Sequence, residues 1–122
     1  MSRLALTPSV QPKTGTTAPL NLTAQLTAGA LSGNTGVSFT NTGREVLYIQ
    51  SGATATIASV QIGTTIEGQA VGPIALNLHS SAVDVIGPFP TDENQANGQI
   101  YVDFTTPANV TGVALVQNGG VF

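Results

Sequence analysis

The chain has 122 residues and a formal net charge of −3, and its charged fraction is 7%, far below the roughly 25% of an ordinary soluble domain. That length fits one domain with a modest core. Arg3, Lys13 and Arg44 are the basic residues and give no footprint for nucleic acid; no apolar run reaches membrane-spanning length; and without cysteine there is neither a disulfide framework nor a thiolate metal site.

The opening "MSRLALTPSVQPK" has a basic residue but no apolar stretch of the signal-peptide kind. Pro8, Pro12, Gly15 and several threonines follow neither a strand nor a helix period, so residues 1–19 read as an extended N-terminal arm. From Leu20, "LNLTAQL" sets Leu20, Leu22, Ala24 and Leu26 against Asn21, Thr23 and Gln25, the alternation of a half-buried strand. "SGNTG" turns the chain, "VSFTN" alternates Val37 and Phe39 with Ser38 and Thr40, and "NTG" turns it again. Glu45 to Ser51 is dense in β-branched and aromatic residues and reads as a strand buried on both faces. Arg44 and Glu45 stand at its mouth, where the turn is expected to expose both. Ala53 to Gln61 returns as a hairpin partner after Ser51-Gly52.

The two glycines of "IEGQAVG" argue for a loop. "IALNLHS" then alternates Ile74, Leu76 and Leu78 with Ala75, Asn77 and His79, and "AVDVIG" alternates Val83 and Val85 with Ala82 and Asp84. "GPFPTDENQANG" is a long loop of turn formers. "QIYVDFTTP" puts Ile100, Val102 and Phe104 on one face and Tyr101, Asp103 and Thr105 on the other; "VTGVALVQ" is the last strand and "NGG" frees the tail. About eight short strands with evenly spaced turn signals predict an all-β chain. The expected architecture is a single-domain antiparallel β-sandwich, jelly-roll or immunoglobulin-like, over residues 20–122, behind the arm of residues 1–19.

The sequence holds little that could carry out chemistry. His79 is the one histidine, and a Ser-His-Asp set would need Ser80 or Ser81 and Asp84 to converge with it around an oxyanion hole; it reads as a surface or interface side chain. Asp92, Glu93 and Asn94 cluster oxygens in a loop without the spacing of a calcium-binding loop. Nothing in the sequence pairs Asp84 with Asp103 for glycoside hydrolysis, and there is no tryptophan to stack a sugar. No phosphate-binding glycine loop or HExxH occurs. The sequons at Asn21 and Asn109 suit chance in an Asn- and Thr-rich chain. No catalytic residue, metal ligand or cofactor is assigned, and the chain is not expected to be an enzyme. Arg44 is different, because arginine offers a planar bidentate donor and is enriched in interface hot spots; it reads either as a surface pair with an acid or as an anchor.

Three stretches taken together, "FTNTGREVLYIQSGATATIASV", "VIGPFPTDENQANGQIYVDF" and "NVTGVALVQ", resemble a group of small tailed-phage virion proteins that decorate and cement the head. The resemblance covers Val37 to Gln117. The arm before Leu20 is longer and richer in Pro and Thr than that pattern, and the GPFP loop lacks the aromatic that often follows it. The resemblance implies a compact β domain on the outer capsid surface of the virion, made in the bacterial host cytoplasm. Its implied partner is the major capsid protein, with neither nucleic acid nor membrane. It implies a homo-oligomer, a trimer ahead of a dimer, since symmetric assembly covers exposed sheet edges. Candidate contacts are Arg3, Pro8, Pro12 and Lys13 in the arm, then Arg44, Tyr48 and the loop Gly87, Pro88, Phe89 and Pro90. Two other readings stand beside it: a head–tail connector, tail or fibre component, and, from a different class, a carbohydrate-binding β-sandwich, which the missing tryptophan disfavours.

Overall fold

The computed structural model describes residues 3–10, 21–63, 65–66, 68–70 and 72–117. In chain order the elements are β1 (Arg3–Ala5), β2 (Ser9–Val10), the helix α1 (Leu22–Ala28), β3 (Gly36–Thr40), β4 (Glu45–Ser51) and β5 (Thr56–Gln61). Then come β6 (Thr65–Ile66), β7 (Gln69–Ala70), β8 (Ile74–Leu78), β9 (Val83–Ile86), β10 (Gln99–Phe104) and β11 (Val110–Gln117). They form a five-stranded sheet in the order β1-β3-β10-β5-β8, a four-stranded sheet β2-β11-β4-β9, and the small ribbon β6-β7. Among the described residues no helix is long and apolar enough to cross a membrane.

The alternation legible in the sequence builds the core. Val37 and Phe39, Ala58 and Val60, and Ile100, Val102 and Phe104 face inward from the larger sheet; Leu47, Ile49, Val113 and Leu115 face them from the smaller one. Residues two apart share a face, so each strand supplies its inward set at every second position. Burying each large aliphatic or aromatic side chain contributes about 1.5–3 kcal/mol. The result is an all-β, sandwich-like fold.

β5 is not the hairpin partner of β4: β4 pairs with β11 and β9 in one sheet, and β5 with β10 and β8 in the other. Nor is β4 buried on both faces, since its burial alternates and Gln50 is exposed. Four further details depart from the sequence reading. "LNLTAQL" is not a strand. Its described part opens the helix Leu22–Ala28, with the Asn21 side chain accepting from the Ala24 N–H at 3.2 Å as N-cap. Leu22 and Leu26 also stand at the i, i+4 spacing of a helix face, and the helix packs on the outer face of β11: Val113 N–H donates to the Gly29 carbonyl at 3.1 Å. Second, the sheets are not wholly antiparallel. β1 joins β3 in parallel and β2 joins β11 in parallel, so residues 3–10 of the expected arm edge both sheets in turn. Third, "IEGQAVG" contributes to the ribbon β6-β7. Fourth, Glu45 is not exposed at the strand mouth: it is 1% accessible and points inward with Leu47 and Ile49.

Candidate functional site

The stretches "NTGRE" and "GPFP", far apart in sequence, meet at one end of the sandwich. Asn41 is buried, and its side-chain amide donates to the Phe89 carbonyl at 3.0 Å and to Asn94 Oδ1 at 2.8 Å. Its Oδ1 accepts from the Gly43 N–H at 3.0 Å, closing an Asx turn. One asparagine therefore ties the turn before β4 to the loop after β9. Phe89 is buried against Phe39, ring centroids 5.3 Å apart, and anchors that loop in the core.

Glu45 completes this end from within. Its carboxylate accepts from the Thr42 N–H at 2.7 Å, from the Thr42 hydroxyl, from the Gln117 amide at 2.8 Å and from the Arg44 N–H at 3.3 Å. Burial pushes its carboxyl up, but these donors together outweigh it and hold the group below the ordinary carboxylate range. The arginine before it points the other way: Arg44 is exposed, and among the described residues its guanidinium has no ion-pair partner. The Arg44–Glu45 surface pair is thus replaced by a buried acid and an exposed base.

The candidate contacts do not all lie on one surface. Arg44, Gly87, Pro88 and Pro90 are exposed around this one end. Phe89 belongs to the core, so its ring is not a contact surface. Tyr48 is half-buried on the outer face of the four-stranded sheet, between Ala114 and Val85. Arg3 lies on the outer face of the other sheet, committed within its own chain: it forms a two-pronged ion pair with Asp103 at 2.8 and 2.7 Å and lies 4.3 Å over the Tyr101 ring. Gly36 lies between them in the sheet, and a Cβ there would stand 2.5 Å from Asp103 Oδ1. Pro8 is half-buried between β1 and β2. Pro12 and Lys13 lie outside the described residues.

The polar groups weighed for chemistry take structural places. His79 Nδ1 meets Asp84 Oδ1 at 2.7 Å, with the imidazole 81% exposed on the rim. Asp84 lies on β9 and Asp103 on β10, in different sheets. Among the described residues no three of His, Cys, Asp or Glu group to hold a metal ion. Asn109 is engaged by its own chain: its Oδ1 accepts from the Thr54 N–H at 3.1 Å, and its amide donates to the Thr54 carbonyl and the Thr56 hydroxyl. It clamps the β4–β5 connection as Asn41 clamps the other end.

Two exposed valines were missed as contact candidates. Val83 and Val85, 43% and 57% accessible, stand beside Gln50 and Tyr48 on the outer face. The alternation in "AVDVIG" makes the valines the apolar, core-facing side of the strand; the structure inverts it, turning Asp84 and Ile86 inward and leaving the valines exposed. Compared with protein-family models, with curated proteins and with solved structures, the chain finds no match in any of the three.

Proposed function

We propose that this chain is a structural protein of a bacteriophage virion, a decoration or cement protein that binds the major capsid protein lattice on the outside of the head. The sandwich, whether of jelly-roll or immunoglobulin-like type, serves as a rigid body that presents its contact surfaces. The observation that carries the reading is the junction at Asn41. The two stretches most responsible for the resemblance, the NTGRE turn and the GPFP loop, are stapled into one exposed end bearing Arg44, Pro88 and Pro90. A contact surface fixed in advance loses little entropy on docking, which favours binding at many equivalent lattice positions. A surface with few charges also has few ions to desolvate. The protein is made in the host cytoplasm, joins the outer capsid surface as a homo-oligomer, and performs no catalytic step in this proposal.

The test is its abundance in purified virions relative to the major capsid protein, by quantitative mass spectrometry. A near-stoichiometric ratio is expected. A trace ratio would overturn the cement role in favour of a connector, tail or fibre component, and absence from virions would overturn the virion reading.

A further inference from the structure

We propose that the free edge of β9 is a strand-acceptor site whose occupant is an extended segment of another protein, with apolar residues flanking a lysine or arginine. The proposal concerns the kind of segment bound and is tested on the purified chain, so it stands or falls separately from the capsid reading.

β9 ends the four-stranded sheet, and among the described residues nothing pairs with its outer side. Its free backbone groups follow from one hydrogen bond. Ser51 N–H donates to the Ala82 carbonyl at 2.9 Å, one step beyond the pair Gln50–Val83 and in the same register. Hydrogen-bonded and non-hydrogen-bonded positions alternate along an antiparallel pair. Asp84 and Ile86 therefore turn their N–H and C=O groups to β4, while Val83 and Val85 turn theirs to the open edge. The same two residues carry the exposed side chains, 43% and 57% accessible. The strand reads "VDVI"; it has no lysine or proline, and its one edge-guarding feature is the inward-pointing charge of Asp84, which acts against a like strand and not against a basic one.

Asp84 decides what this edge accepts. It sits between the two valines and faces inward; its carboxylate accepts from the His79 N–H at 2.8 Å and is 18% accessible. Consider a second copy as occupant, its β9 antiparallel to the first. The one register that uses both valines of each copy sets Asp84 directly opposite the other Asp84. That is a non-hydrogen-bonded position, where Cα atoms lie about 4.5 Å apart and side chains are closest, and like charges there are destabilising. Sliding the register either way runs the pairing into Ser81 at φ 53° or Gly87 at φ 117°, where the extended backbone ends. A different strand with a basic residue at that position turns the same contact into an opposite-charge pair. Apolar residues on either side of it would lie beside Val83 and Val85. Main-chain bonds then supply the attachment and the alternating side chains its selectivity.

The test titrates the isotope-labelled protein with the end-capped peptide Thr-Thr-Val-Lys-Val-Thr-Thr, followed by NMR. Saturable shifts are expected at the amides of Val83 and Val85, with β1 unaffected. The peptide with glutamate for lysine should bind at least about threefold more weakly, and Asp84→Lys should reverse that preference. Because Asp84→Lys alters a residue that also holds His79, a second control leaves the protein intact: N-methylation of both peptide valines should abolish the shifts. Absence of saturable shifts, equal affinity for the lysine and glutamate peptides, or binding that survives N-methylation would each overturn the proposal. So would a concentration-dependent dimer by sedimentation that Val85→Ser abolishes, since a second copy would then be the occupant.

Discussion

At Glu45 a carboxylate is 1% accessible and is held by main-chain and side-chain donors from Thr42, Arg44 and Gln117. Its folded-state affinity for a proton is lower than in the unfolded chain, so its contribution to stability is full above the ordinary carboxylate range and is lost as pH falls through its lowered value. Glu93 works in the opposite sense. Burial first, then the charge of Asp92, raises its carboxyl, so its ionisation opposes folding and that cost disappears as pH falls through the raised value. Glu45→Gln places an amide where donors converge and should cost about 1–3 kcal/mol near neutral pH. Urea unfolding at about pH 7 and about pH 3 should show a smaller acid-induced loss for the variant than for the unaltered chain; equal losses would remove Glu45 as a source of acid sensitivity. The burial was not legible: the sequence reads as a strand buried on both faces, and only the structure shows Glu45 sharing the inward parity of Leu47 and Ile49. The adjacent Arg44 and the turn before it pointed to an exposed pair, and the donors that offset burial come partly from Gln117, which is remote in sequence and reaches Glu45 only through the pairing of β11 with β4.

The helix α1 shows how an element is decided by its neighbour. Leu20, Leu22, Ala24 and Leu26 fit a strand alternation, while Leu22 and Leu26, with Asn21 before them, fit a capped helix turn. A helix of seven residues has little stability of its own, so packing against β11 settles the ambiguity, and that packing is invisible in the local sequence. The fit depends on Gly112, where an added Cβ would stand 2.1 Å from the Leu26 carbonyl oxygen. Helix and strand backbones meet there without a side chain between them. Gly112→Ala should force the helix outward and lower stability by about 1–3 kcal/mol, as overpacking generally does. Thermal unfolding measures that loss, and the amide shifts of residues 22–28 should move while those of β8 stay in place. An unchanged melting temperature would mean that the helix contributes nothing to the fold.

At the scale of the whole molecule the two sides of the sandwich are closed differently. On one side residues 3–10 edge both sheets; on the other, β8 and β9 end them. The sandwich itself was legible, because its strands carry their own alternation. The closing strand was not. It pairs over three residues and then two, Pro8 lies between them, and its partners Gly36 and Val116 are remote in sequence. A segment attached in this way is a candidate for opening independently of the core, as terminal elements often do. Its strongest polar tie is Arg3 on Asp103, and because the two side chains are 26% and 15% accessible, the pair is worth no more than about 1–2 kcal/mol. Arg3→Ala also removes the guanidinium from the Tyr101 ring. In native-state hydrogen exchange the Leu6 amide, which donates to the Ser38 carbonyl at 2.8 Å, should exchange about five- to thirtyfold faster in the variant. The amides of β4 and β10 that bond to their inner neighbours should keep their rates. Arg3→Lys retains the charge but loses the fork and should fall between the two. If every protected amide instead accelerates by the same factor, the first strand opens only with the whole sandwich. Selective acceleration would leave residues 3–10 as a separable strap, able to exchange its partners while the two-sheet core stays intact.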